Sequence, residues 1–224
     1  MVSIIVPALN EAAHIASTLR AVQALEGDKE ILVVDGGSED RTVEVVKQAG
    51  VKVLQSPRGR GVQQHAGALG SRGNILWFVH ADTIPPPNAI SDIVSALNDS
   101  SVVGGNFGLL FDGGSRAARQ LTGIYPALRR LNLCYGDSGI FLRRSIYEAV
   151  GGFRAFALFE DLDLLRRLRK AGRFVHLDTR IVTSSRRFED RNFAGMWIHW
   201  TALQLLYWAG VSPNLLARWY RSGR

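Results

Sequence analysis

Four short segments bear the residues whose types and spacing suit chemistry. Glu160-Asp161-Leu162-Asp163 puts three acids into four residues just past Gly151-Gly152. Acids in a first helical turn suit the helix dipole, but three exceed what a cap needs. A carboxylate there can act as a general base, taking the proton of an attacking hydroxyl. Asp82, at the end of His80-Ala81-Asp82, is an oxygen donor for Mg²⁺ or Mn²⁺, ions that keep waters and substrate phosphates as their other ligands. Such an ion neutralises a departing diphosphate. Asp35 follows Ile31-Leu32-Val33-Val34 and precedes Gly36-Gly37-Ser38. It can accept from a ribose hydroxyl or a base N–H, or simply cap its own turn. Arg58-Gly59-Arg60-Gly61 can hold phosphate through guanidinium and helix N–H donors, or lie as an exposed basic loop.

The elements that must position these residues alternate in type. Ser3–Val6, Glu30–Asp35, Val51–Gln55 and Asn74–Val79 are short and rich in Val and Ile, as strands buried on both faces should be. Between them, Glu11–Leu25, Glu39–Gln48 and Gly61–Ser71 space their apolar residues helically, as Ile15, Leu19, Val22 and Leu25 show. Asn10 and Ser38 stand where N-caps belong. Strand–helix–strand repetition implies right-handed crossovers and a parallel sheet, whose ligands bind at the carboxyl ends of the strands. The first, second and fourth strands end in Asn10-Glu11, Asp35 and His80-Ala81-Asp82, so the site is expected there. Further on, Val102–Leu110 and Gly139–Arg143 read as strands, and Arg116–Leu131 and Glu160–Lys170 as helices. Pro85-Pro86-Pro87 reads as a rigid turn before a helix.

At 224 residues, 46% hydrophobic and 21% charged, the chain suits one α/β domain with a sizeable core. Its charge of +7 favours anionic partners without choosing among them. Cys134, the single cysteine, allows no internal disulfide and suits a reducing compartment; its apolar neighbours suggest a core thiol. Met1 through Pro7 reads as an immediate strand and not as a signal peptide, giving the expectation of a cytoplasmic domain. No Gly-x-Gly-x-x-Gly, P-loop lysine, His-Glu-x-x-His or Cys-x-x-Cys pattern occurs, which argues against dinucleotide, ATPase and zinc chemistry.

Taken together, Val6–Glu11, Val34–Thr42, Phe78–Thr83 and Phe159–Leu164 resemble the ordered motifs of family 2 inverting glycosyltransferases with the GT-A fold. That is an α/β, Rossmann-like, mostly parallel sheet flanked by helices. More narrowly, Gly59–Gln63, His80-Ala81-Asp82, Gly136–Phe141 and Ser184-Ser185-Arg186-Arg187 resemble the bacterial branch of radical-SAM/selenodomain-associated transferases. The resemblance spans about residues 3–187 and implies one domain over 1–224, with a catalytic core at about 1–187 and a helical segment at 188–224. It implies a nucleotide diphosphate sugar donor, uridine before guanosine, with Mn²⁺ or Mg²⁺ as cofactor. Pro7, Asn10 and Glu11 would border the nucleotide, Asp35 would meet its base or ribose, and Arg60 would lie alongside. Asp82 would be the last carboxylate of an Asp-x-Asp element, Asp161 the catalytic base, and Glu160, Asp163 and Asp137 near the acceptor or donor sugar. His80 replaces the first aspartate of that element, so Asp82 carries the metal alone; His65 stands where many relatives have asparagine.

From Asn192 to Val211 no residue is charged, while Trp197, Trp200, Tyr207 and Trp208 crowd the stretch. Arg186, Arg187 and Arg191 precede it, and Arg218, Arg221 and Arg224 follow. Asn192, His199, Thr201 and Gln204 make it a poor membrane span. Phe193, Trp197, Trp200, Leu203 and Tyr207 share a helical stripe. Packing on the domain or on a second subunit is preferred to an interfacial helix at the inner face of a membrane, which a lipid-linked acceptor would favour. Two other function classes share some features. Sugar-nucleotide pyrophosphorylases need a glycine-rich basic loop where this chain has Pro7-Ala8-Leu9-Asn10-Glu11. In a basic nucleic-acid-binding module, acids at the strand ends would repel the backbone, so nucleic acid is not an expected partner.

Overall fold

The computed structural model describes residues 1–113, 115–131, 133–186 and 193–222. Arg187, Arg191, Asn192 and Arg224, which figured in the expectations above, lie outside them. Strands β1 (Val2–Ala8), β2 (Lys29–Asp35), β3 (Lys52–Gln55) and β4 (Ile75–Phe78) pair in parallel in the order β3-β2-β1-β4. The sheet continues through β7 (Phe141–Arg143), antiparallel to both neighbours, then β6 (Val102–Phe111), β8 (Arg173–Thr183) and the short β5 (Thr83–Ile84).

Alternation along each strand divides the core between the two faces. Ile4, Val6, Val33, Trp77 and Val79 meet Ile15, Leu19 and Val22 of helix α1 (Ile15–Ala24) on one side. Ile5, Leu32, Val34, Leu76 and Phe78 meet the other side, where α3 (Arg60–Gly70), α6 (Arg144–Ala149) and α7 (Glu160–Ala171) lie. Gly67 lets α3 approach closely, since a Cβ there would stand 2.4 Å from Ile5 Cγ2. Helix α2 (Thr42–Gln48) follows β2, and α4 (Ala89–Ala96) follows the proline run. Helix α5 (Arg116–Arg130) packs on β6. Leu164, Leu165 and Leu168 of α7 enter the core, whereas Leu162 faces α8 (Phe193–Trp208) and α9 (Pro213–Ser222) in a third apolar cluster with Leu203 and Leu216.

Two local expectations need correction. Helices α1 and α2 begin at Ile15 and Thr42, and their N-caps are His14 and Arg41, not Asn10 and Ser38. The latter two bind each other's loops instead: Asn10 N–H donates to Ser38 Oγ at 2.9 Å, and Glu39 N–H donates to Asn10 Oδ1 at 2.9 Å. Cap residues are thus spent on joining the loops after β1 and β2.

Candidate active site

The loops leaving β1 and β2 form one wall. Glu11 N–H donates to Thr42 Oγ1 at 2.8 Å and Ala12 N–H to Asp40 Oδ2 at 3.1 Å. Asn10 holds φ at 56°, a left-handed conformation that asparagine tolerates better than most residues. Asp35, 2% exposed, accepts from Gly37 N–H at 3.0 Å, from Ser38 N–H at 3.1 Å and from the Ser38 hydroxyl. Its carboxylate therefore builds its own turn as well as standing at the end of β2. Pro7 is half-buried in β1, opposite Val34 and one residue before the partner of Asp35, Ala8.

A second wall begins beyond β4, at Asp82. Arg186 places Nη2 at 3.2 Å from Asp82 Oδ2 and at 2.6 and 2.7 Å from Glu11 Oε1 and Oε2. Burial pulls the Arg186 pKa down, but Glu11 and then Asp82 more than offset this, and the net shift is upward. One arginine thus joins the wall formed by the loops after β1 and β2 to Asp82.

The third wall is the start of α7. Phe159, its N-cap, holds φ at 63°; an aromatic residue in that region is strained and persists only where its surroundings hold it. Its ring lies 5.0 Å from that of Tyr207 on α8. The strained turn brings Glu160 and Asp161 to the first helical turn, 4% and 8% exposed. Asp161 Oδ2 accepts from Gly136 N–H at 2.7 Å and Oδ1 from Leu162 N–H at 2.7 Å. A Cβ on Gly136 would stand 3.3 Å from Asp161 Oδ2 and 3.4 Å from His80 Nε2, so His80 and Asp161 flank the same glycine. Arg60 Nε lies 3.3 Å from Glu160 Oε1. Glu160 raises the guanidinium pKa against a smaller opposing effect of burial, with Asp161 and Asp137 adding to the rise. Tyr135 donates to Gln204 Oε1 at 2.8 Å, and burial, then Asp161 and Asp137, push its phenol up.

Arg60, His80, Asp82, Asp137, Glu160, Asp161 and Arg186 line the polar end of a cavity of about 380 Å³. The structure therefore brings Arg60, Asp82, Asp137, Glu160 and Asp161, half of the expected residues, to one space. Pro7, Asn10, Glu11 and Asp35 stand outside that lining, along the wall joined to it by Arg186. Asp163 turns away: it is bound by Arg167 at 2.6 Å and Arg154 at 3.3 Å and does not line the cavity. Cys134 is fully buried, and burial raises its thiol to about 11, which suits a core role. His65 contacts Tyr147 Oη at 2.9 Å. Two contributors went unassigned in the sequence: Arg186, seen only as part of a motif, and the Gly136 N–H that holds Asp161. Only the fold reveals their partners.

Among the described residues, no group of three or more His, Cys, Asp or Glu side chains is placed to hold an ion. A lone carboxylate such as Asp82 would suit a hard cation whose remaining ligands came from water and a bound anion. Among the described residues, Arg186 is the cation paired with that carboxylate, at 3.2 Å.

Comparison with known proteins bears on the family and the fold. The family model described as Glycosyl transferase family 2 matches residues 3–157. The undecaprenyl-phosphate 4-deoxy-4-formamido-L-arabinose transferase of Pseudomonas paraeruginosa is 31% identical over 175 residues, 71% of this chain and 52% of that protein. The chain spans about half the length of the curated relatives it matches. A mannosyltransferase from Pyrobaculum calidifontis in complex with GDP-Man and Mn²⁺ superposes with a TM-score of 0.69 at 19% identity, covering 98% of this chain and 69% of that one. TarS of S. aureus in complex with UDP-GlcNAc gives 0.67 at 16% identity, covering 86% and 60%. These superpositions show the GT-A fold.

Proposed function

The chain belongs to glycosyl transferase family 2, and on that premise we propose that it transfers a sugar from a nucleotide diphosphate to an acceptor hydroxyl with inversion. The observation that carries the reading is Asp161, a carboxylate 8% exposed at the N-terminus of α7, held by Gly136 N–H and facing a cavity that Asp82 also lines. Both Asp161 oxygens are oriented by backbone donors, so the base is preorganised before an acceptor arrives.

In the proposed step Asp161 takes the proton of the acceptor hydroxyl. The acceptor oxygen bonds to the anomeric carbon as the bond from that carbon to the diphosphate oxygen breaks, and the nucleotide diphosphate leaves. Pro7, Asn10, Glu11 and Asp35 border the nucleotide in this reading, with Arg60 beside it. A divalent ion held by Asp82, Mn²⁺ or Mg²⁺, would supply charge neutralisation at the diphosphate. Glu160 keeps Arg60 in place, and Asp137 lies near the transferred sugar. Uridine is the proposed base. The narrower assignment, to the radical-SAM/selenodomain-associated branch, is supported by Gly59–Gln63, Gly136–Phe141 and Ser184–Arg186, residues that supply Arg60, Gly136, Asp137 and Arg186 to this site. A cytoplasmic location is proposed with it; among the described residues no helix is long and apolar enough to cross a membrane.

A thermal-shift panel of nucleotide diphosphates with and without Mn²⁺ tests the reading. A nucleotide at a hundred times its Kd adds about 2.7 kcal/mol to stability. UDP should raise the melting temperature most, with Mn²⁺ adding to the effect in the wild type and not in Asp82→Ala. No stabilisation by any nucleotide sinks the donor assignment.

A further inference from the structure

The cavity has two unlike ends. Its floor is polar, carrying Asp161 and its neighbours. Its walls are apolar, built from Leu121, Ile124 and Leu128 on α5 and from Trp197, Leu205 and Trp208 on α8. The three α5 residues recur at helical spacing on one face, and so do the three on α8. Leu128 also packs against the core beneath the sheet, whereas Leu205 and Trp208 lie off the α8 stripe of Leu203 and Tyr207 that packs toward α7 and α9. Ile124, Leu205 and Trp208 are 37%, 56% and 58% exposed. Large apolar side chains bordering a catalytic cavity lower the free energy when a ligand covers them.

The floor restricts what such a ligand carries at its reacting end. Among the described lining residues, Asp82, Asp137, Glu160 and Asp161 face two arginines. Arg60 is paired with Glu160, and Arg186 with Glu11 and Asp82. A phosphate monoester would bring further negative charge to this carboxylate-rich floor; a hydroxyl brings none and offers Asp161 its proton.

Resting on the transferase reading above, we propose that the acceptor is a neutral alcohol on an apolar body, with its hydroxyl at Asp161 and its body between α5 and α8. About 380 Å³ is at the small end of the roughly 300–1,000 Å³ typical of ligand sites, and suits a compact ring or a short prenyl chain. An alcohol dissolved singly and one resident in a bilayer share this chemistry.

The test uses farnesol, farnesyl phosphate and glycerol as probes, with binding to the full chain read by fluorescence of the cavity tryptophans. Farnesol should bind at least about tenfold more tightly than farnesyl phosphate, and glycerol should not compete. The double variant Ile124→Glu with Leu205→Glu alters two exposed positions. It should weaken farnesol about tenfold or more while leaving melting temperature and UDP binding unchanged. Equal or tighter binding of the phosphate, absence of farnesol binding, or wild-type affinity in the double variant would each overturn the proposal. Because binding is measured without donor, failure of UDP to bind would count against the transferase reading separately. Co-sedimentation with phosphatidylcholine vesicles only when they contain farnesol assigns the alcohol to a bilayer; binding in solution without it assigns a free one. Either result supports the proposal.

Discussion

Arg186 holds Glu11 through one guanidinium nitrogen, at 2.6 and 2.7 Å, while that same nitrogen stands 3.2 Å from Asp82. The contact spans 175 positions of sequence and closes the site between the end of β1 and the loop after β4. It also sets up a competition, because a cation is already paired with the carboxylate proposed to bind metal. Like charges cannot share so small a space without cost, so a divalent ion at Asp82 must displace the guanidinium or be weakened by it.

Arg186→Ala should therefore bind Mn²⁺ more tightly in the absence of nucleotide. The pair is over a third exposed on the arginine side and solvent screens it, so the gain should stay within about fivefold, the equivalent of the roughly 1 kcal/mol ceiling for exposed pairs. Titration followed by Mn²⁺ paramagnetic resonance measures this directly. Unchanged affinity would mean that Arg186 and the ion do not compete.

Asp161→Asn should separate chemistry from binding. Loss of a general base typically costs roughly 10²–10⁴ in rate, and kcat should fall by that factor with the donor KM little changed. The amide can present only one acceptor oxygen, so either Gly136 N–H or Leu162 N–H loses its partner. Such an unmet buried donor costs about 1–3 kcal/mol, which denaturant unfolding will show. A variant with near-normal kcat would remove Asp161 from the mechanism.

How much of this was legible beforehand follows from where the determinants lie. β1 through β4 announce themselves because a strand buried on both faces must be apolar throughout, and their polar ends mark the ligand side. Leu164, Leu165 and Leu168 of α7 share one helical face, while Leu162 serves a different cluster. β8, by contrast, carries Arg173, His176, Asp178 and Arg180, and becomes a strand by pairing with β6 and β5, which no local pattern reveals. Asn10 and Ser38 misled because the residue types that cap helices also bridge loops. The role of Arg186 depends on partners at positions 11 and 82, and the apolar walls depend on α5 and α8 lining one cavity, so neither exists in one segment.

Gly67→Ala tests how tightly α3 is seated. The added Cβ would fall 2.4 Å from Ile5 Cγ2 and 2.9 Å from Val34 Cγ2, both in the packed sheet. Overpacking of this kind costs about 1–3 kcal/mol. Alanine is otherwise the better helix former, so propensity alone predicts the opposite sign. Urea unfolding should show a lower midpoint with an unchanged slope; a raised midpoint would mean that α3 rides loosely on the sheet.

Acid sensitivity should trace to His176. Its Nδ1–H donates to Asn106 Oδ1 at 2.6 Å, and Asn106 Nδ2 donates to Ser138 Oγ at 2.8 Å, in the turn that carries Asp137. Burial, then Arg129 and Arg169, lower the imidazole from 6.5 to about 4. Between these values the unfolded chain takes up a proton that the folded chain refuses. Stability is therefore full above the unfolded value, falls as pH drops through the window, and this contribution is gone below about 4. Buried paired carboxylates lose their protection mainly at lower pH, so the upper part of the window belongs to the histidine. His176→Gln keeps a donor for Asn106 and cannot titrate, so its melting temperature should fall less than that of the wild type between about pH 7 and about pH 5. Parallel curves for the two proteins would assign the acid response to another group.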